Sequence, residues 1–147
     1  MGHSIPSLRR IRAASIGTEA ARLNTKRAEE ISTALNRLRK FNDLPARQQN
    51  IVQKYALDSS AFLTEMQRVI KPGGQLSLVL GESNLRGKLI ENSKLFSHLA
   101  RNHGFTKTSQ HRRPLQENRR YLPVTSKDNS LENRMRYEVI QTYVSAV

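Results

Sequence analysis

The four residues Lys71-Pro72-Gly73-Gly74 force a chain reversal, because proline fixes one backbone angle and the glycines that follow accept almost any. Before them, apolar residues recur at helical spacing. After them, Gln75 to Leu80 (QLSLVL) is nearly continuously apolar and is bounded by glycines. A helix, a tight turn and a strand must therefore follow one another here. Six such residues suit a strand buried on both faces, as in a parallel sheet. The chain is accordingly expected to be α/β.

The flanking segments extend that frame. Met1 to Gly17 reads as a basic arm with little periodicity, and residues 18–147 as the folded part. Thr18 can cap a helix over Glu19 to Phe41, with Leu23, Ile31, Leu35, Leu38 and Phe41 on one face. A second long helix is expected over Ala46 to Ile70, with Ile51, Tyr55, Phe62, Met66 and Val69 as its stripe. Asp58-Ser59-Ser60 interrupts that stripe and reads as a restart capped by Asp58. Gly81 to Gly87 reads as a polar loop. Glu91 to His103 reads as a helix stopped by Gly104. Phe105 to His111 reads as a strand with Phe105, Lys107 and Ser109 on one face. A long basic loop, Arg112 to Leu131, and a last strand, Met135 to Val144, complete the order.

Charge narrows the partners. The 147 residues hold 25 Lys and Arg against 12 Asp and Glu, a formal net charge of +13. The basic residues cluster: nine against three acidic from Met1 to Lys40, and six against Glu117 alone from Arg101 to Arg120. Clustered positive charge beyond the roughly 2–8 that solubility asks of a small domain points to a polyanion, nucleic acid first. Cysteine is absent, which excludes disulfides, thiolate metal sites and thiol catalysis. No apolar run approaches the ~18 residues of a membrane span, and the N-terminus lacks the apolar block of a signal peptide. The expectation is a cytoplasmic protein without membrane contact.

Catalytic signatures are missing. There is no Gly-x-Gly-x-x-Gly and no phosphate-binding P-loop. His3, His98, His103 and His111 lack metal-ligand spacing with carboxylates, and Glu29-Glu30 reads as part of a charged helix face. No serine sits in a nucleophile-elbow context. No catalytic residue and no metal site is assigned.

A resemblance supplies what the residues alone do not. Phe62 to Gly81 (FLTEMQRVIKPGGQLSLVLG) resembles the helix–turn–strand around the fifth strand of class I S-adenosylmethionine-dependent methyltransferases. Leu99 to Phe105 (LARNHGF) resembles the helix end that leads into their sixth strand. Asn118 to Pro123 (NRRYLP) and Leu131 to Glu138 (LENRMRYE) resemble the tail of bacterial DNA amino-methyltransferases. The arm from Leu8 to Gly17 resembles the segment after their catalytic motif. The likeness covers most of the chain, in the family's order. That family has a glycine-rich turn for its cofactor and an Asp, Asn or Ser-Pro-Pro-aromatic motif for catalysis. Neither occurs here; Asn42-Asp43-Leu44-Pro45 has one proline and no aromatic residue.

The resemblance implies the C-terminal half of a Rossmann-like methyltransferase fold, starting just past the catalytic motif and incomplete alone. It implies that the last strand lies antiparallel between Gln75–Leu80 and Phe105–His111. Gln75–Leu80 would then have an open edge for a second chain carrying the missing half, or for a copy of itself. S-adenosylmethionine is the implied cofactor and DNA the implied substrate, methylated on the exocyclic amino group of adenine or cytosine. Gly81, Ser83 and Asn84 would line the pocket at the end of the strand. Arg112, Arg113, Arg119 and Arg120 would hold phosphates and Tyr121 would stack on an extruded base. The alternatives are a non-catalytic basic nucleic-acid-binding module of the same fold and an RNA-directed relative.

Overall fold

The computed structural model describes residues 4–13, 28–115 and 137–146. Among the described residues, three helices precede the sheet: α1 (Ile5–Ala13), α2 (Ala28–Asn36) and α3 (Ala46–Val69). Then come β1 (Gln75–Gly81), the short strands β2 (Ser83–Leu85) and β3 (Lys88–Ile90), α4 (Asn92–Asn102), β4 (Phe105–Pro114) and β5 (Tyr137–Ser145). The class is mixed α/β, with a small antiparallel sheet.

Helix α1 lies inside the expected arm. The Ser4 hydroxyl caps it through the Ser7 amide at 3.4 Å. Pro6 falls in the first turn, where a missing amide costs nothing, so it is compatible with a helix in a segment expected to show little periodicity. Helix α2 ends at Asn36, five residues short of the expected Phe41; residues 19–27 of that expected helix lie outside the described residues. The chain continues in single turns, with Leu38 donating to the Leu35 carbonyl at 2.9 Å and Leu44 to the Phe41 carbonyl at 3.1 Å. Those turns still bury Leu38, Phe41 and Leu44 beside Ile31, Ala34 and Leu35.

Helix α3 runs unbroken through Asp58-Ser59-Ser60, so no restart occurs. Asp58 pairs with Lys54 one turn earlier. The buried stripe is Val52, Ala56, Ser59, Ser60 and Leu63, while Val69 is exposed. The core face is thus rotated by about one residue from the face that the large apolar residues outline. Ala56 and Ser60 are small, and their full burial lets α2 and α4 pack closely on α3.

The turn after α3 is built as its sequence demands. Gly74 N–H donates to the Lys71 carbonyl at 2.8 Å, and Gly73 has φ of 76°, which is a type II turn. Gly73 N–H also donates to Ser145 O, and Ser145 N–H to Gly74 O, both at 2.9 Å. The turn is hooked onto the end of β5.

The sheet order is β1-β5-β4, and β5 is antiparallel to both neighbours. β1 and β4 therefore run parallel to each other on either side of it. β1 has no strand on its outer edge among the described residues. Its burial alternates: Leu76 and Leu80 are buried, whereas Val79 is 55 % exposed. This corrects the expectation of a strand buried on both faces, because α4 lies against one face of the sheet only. Phe62, Phe96 and Tyr143 join α3, α4 and β5 through rings 6.3 and 6.1 Å apart.

Two local features depart from the expectation. The polar loop after β1 is a hairpin, β2–β3, turned by Arg86 (φ 54°) and Gly87 (φ 75°). Positive φ at both positions makes a type I′ turn. In β4 a bulge falls between Lys107 and Ser109. An extra residue reverses the alternation beyond it, so Lys107, Gln110 and Arg112 share the inner face and Ser109 does not. β4 also runs on to Pro114, which places Arg112 and Arg113 in a strand and not in the expected loop.

Candidate functional site

The edge at the end of β1 is closed by its own hydrogen bonds. Asn92 Nδ2, at the start of α4, donates to Gly81 O at 2.9 Å and to Ser83 Oγ at 2.7 Å. Glu82 is buried and accepts from Ser93 N–H at 3.2 Å and from Ser93 Oγ. A carboxylate there caps the positive end of the α4 dipole. Asn84 is exposed on the hairpin. Gly81 and Ser83 thus lie together, and Asn84 stands apart from them. Asn92, Gly81 and Ser83 are joined by hydrogen bonds at the end of the strand.

Burial, with a smaller contribution from the Glu82 charge, raises the Tyr55 phenol above its ordinary pKa against the lowering effect of its hydrogen bond to Ser59. Burial likewise raises Tyr143. Both phenols stay neutral near pH 7 and act only as hydrogen-bonding groups.

Arg112 and Arg113 are neighbours on β4, so their side chains point to opposite faces of the sheet. The Arg112 guanidinium lies 4.8 Å from the centre of the Tyr137 ring, a cation–π contact. Arg113 Nε donates to Glu138 Oε2 at 3.1 Å across the ladder. Both remain exposed. Arg119, Arg120 and Tyr121 lie outside the described residues.

One serine–histidine–glutamate cluster joins the helices. Ser60 Oγ is 3.0 Å from His103 Nε2, Glu30 Oε1 is 3.4 Å from the same nitrogen, and Ser60 donates to Glu30 Oε2 at 3.3 Å. A catalytic relay needs the serine and the carboxylate on different ring nitrogens. Here both meet Nε2, and Ser60 is fully buried. The cluster ties α2, α3 and the end of α4 together.

A cleft between α2, α4 and β4 carries the most charge among the sites described. It holds about 400 Å³ and is lined by Arg37, Lys94, Arg101 and Lys107, with His98, Ser97 and an apolar floor of Ala34, Leu38 and Leu95. Among the described residues the lining contains no carboxylate. Lys94 pairs with Glu91 at 2.8 Å, and Lys107 reaches Gln110 Oε1 at 2.8 Å. Burial first, then the charges of Arg37 and Arg101, push the His98 imidazole below its ordinary pKa, against the opposite pull of Glu30. Its Nε2 is buried and meets no hydrogen-bond partner among the described residues.

A buried network fixes the β-side wall. Gln141 Nε2 donates to Ser97 Oγ at 2.9 Å and to Gln110 Oε1 at 2.9 Å. Arg37, Arg101 and Lys107 belong to the basic clusters of the sequence, but their separation along the chain does not show that they share a site. The signal was present in α4, where Lys94, Ser97, His98 and Arg101 are spaced by three, four and seven residues on one face.

Among the described residues, no group of three His, Cys, Asp or Glu could hold a metal ion, and no helix is long and apolar enough to cross a membrane. Comparison with family models, curated proteins and solved structures finds no match for this chain.

Proposed function

We propose that this chain is the C-terminal half of a class I S-adenosylmethionine-dependent DNA amino-methyltransferase, working with a second segment that carries the cofactor site and the catalytic motif. The observation that carries this reading is the strand order: β5 runs antiparallel between two strands that are parallel to each other, directly downstream of a Lys-Pro-Gly-Gly turn. The resemblance implies that order for the last three strands. The missing segment would extend the sheet from the outer edge of β1, where β5 holds one side only and Val79 is exposed. The basic surface suits DNA, and a cytoplasmic setting belongs to the same reading.

Hydrogen exchange tests the partnership. The β1 amides that β5 does not hold exchange fast in the chain alone. They become protected when a segment with the glycine-rich turn and the Pro-Pro-aromatic motif is added. Unchanged exchange with that segment present contradicts the reading.

A second reading is favoured by the closed hydrogen bonds among Gly81, Ser83 and Asn92. In it, the chain is a basic nucleic-acid-binding module without chemistry. It predicts duplex binding with no need of a second segment.

A further inference from the structure

We propose that the cleft between α2, α4 and β4 is a binding site for a phosphate ester of nucleotide size. Its four cations come from three separate elements: Arg37 follows α2, Lys94 and Arg101 belong to α4, and Lys107 belongs to β4. Their convergence is a product of the fold and not of a local basic run. Like charges gathered around one space repel one another; Glu91 offsets Lys94 from outside the cleft, and no carboxylate among the described lining residues relieves Arg37 and Arg101. Among the described residues, Arg37 and Arg101 have no ion-pair partner. An anion seated between them supplies what the lining lacks, and guanidinium groups bind phosphate oxygens two at a time.

The rest of the lining describes the remainder of the ligand. His98 stands in the same lining, its Nε2 buried and without a hydrogen-bond partner among the described residues. Ser97 Oγ is taken up by Ser93 O, Gln141 Nε2 and the Tyr143 hydroxyl, and so shapes the wall without offering a free hydrogen bond. Ala34, Leu38 and Leu95 offer an apolar floor for a flat ring. A volume of about 400 Å³ falls in the range of small-ligand sites, roughly 300–1,000 Å³. A nucleotide combines these features, either free or as one unit of a nucleic-acid chain. The site does not depend on the methyltransferase reading, since it lies along α4 and away from the β1 edge.

The test is an NMR titration of the full chain, once with ADP and once with a short DNA duplex, observing the His98 and His111 imidazoles. His111 pairs with Ile140 on the other face of the sheet and serves as the internal reference in the ADP titration; with the duplex it also reports contact at its neighbours Arg112 and Arg113. The result expected is saturable movement of His98, with His111 unmoved in the ADP titration. Movement with ADP identifies a free nucleotide as sufficient, and movement with the duplex alone assigns the phosphate to the polymer. The double variant Arg37→Ser/Arg101→Ser weakens that binding about ten-fold or more. Arg68→Ser, on the exposed end of α3, leaves it unchanged. His98 stationary with both ligands, or moving with ADP only in step with His111, overturns the proposal and needs no variant to be read.

Discussion

The Tyr143 hydroxyl donates to Gln141 Oε1 at 2.7 Å, two residues away on the same face of β5. Both side chains are fully buried in the central strand. The Gln141 amide nitrogen completes the set through Ser93 O, Ser97 Oγ and Gln110 Oε1. A polar residue in the middle of the sheet is therefore tolerated because each of its atoms is paired. Gln141→Leu strands the partner groups and is expected to cost about 1–3 kcal/mol. Tyr143→Phe removes one hydroxyl and is expected to cost about 1 kcal/mol. Urea denaturation of both variants checks the order; equal stability of Gln141→Leu and the wild type contradicts it.

The two glycines of the turn are expected to differ. A Cβ on Gly74 would meet Ile70 Cγ2 at 2.6 Å and the Lys71 carbonyl oxygen at 2.8 Å. A Cβ on Gly73 meets nothing within 4 Å and is opposed only by its φ of 76°. Gly73→Ala is expected to cost about 1 kcal/mol. Gly74→Ala must displace backbone and is expected to lower Tm further. The opposite order would show that the turn relaxes freely.

His98 ties stability to pH. Its folded pKa lies below the ordinary 6.5, through burial and then Arg37 and Arg101. The unfolded chain therefore binds the proton first as pH falls through 6.5. Stability contributed by the neutral imidazole is complete above that value and is lost below it, down to the folded pKa. His98→Asn is expected to lose less Tm than the wild type between pH 8 and pH 5.5. Parallel Tm profiles for the two proteins would contradict this.

In the proposed function, DNA is bound through Arg112, Arg113, Arg119 and Arg120, and that reading sets a salt dependence. About four released counterions give a log–log slope near −4. Arg112→Ser is expected to reduce that slope by about one. Arg113→Ser is expected to reduce it less, because Glu138 already offsets its charge. A flat salt response removes these arginines from the interface.

Much of the fold is legible in the residues. α3, β1, α4 and β5 lie within two residues of their expected bounds, because Pro72, the paired glycines and Gly104 punctuate the chain where the structure turns. The face of α3 was not legible, since large apolar residues outline one stripe and small ones make the close contacts. The bulge at Thr108 has no sequence mark, yet it decides that Gln110 and not Ser109 reaches Gln141. The hairpin was hidden because Arg86 occupies a position where Asn or Gly would have announced a type I′ turn. Of the pocket residues implied by resemblance, Gly81 and Ser83 are brought together by Asn92. The basic cleft escaped because its charges come from separate segments that only the tertiary fold brings together.

The most direct measurement is methyl transfer from labelled S-adenosylmethionine to duplex DNA by this chain and the segment encoded immediately upstream of it, together and apart. The account predicts that the segment carries a glycine-rich turn and a Pro-Pro-aromatic motif, and that adenine or cytosine amino groups are methylated only when both parts are present. An upstream segment without those motifs, or transfer that is equal with and without this chain, would contradict it.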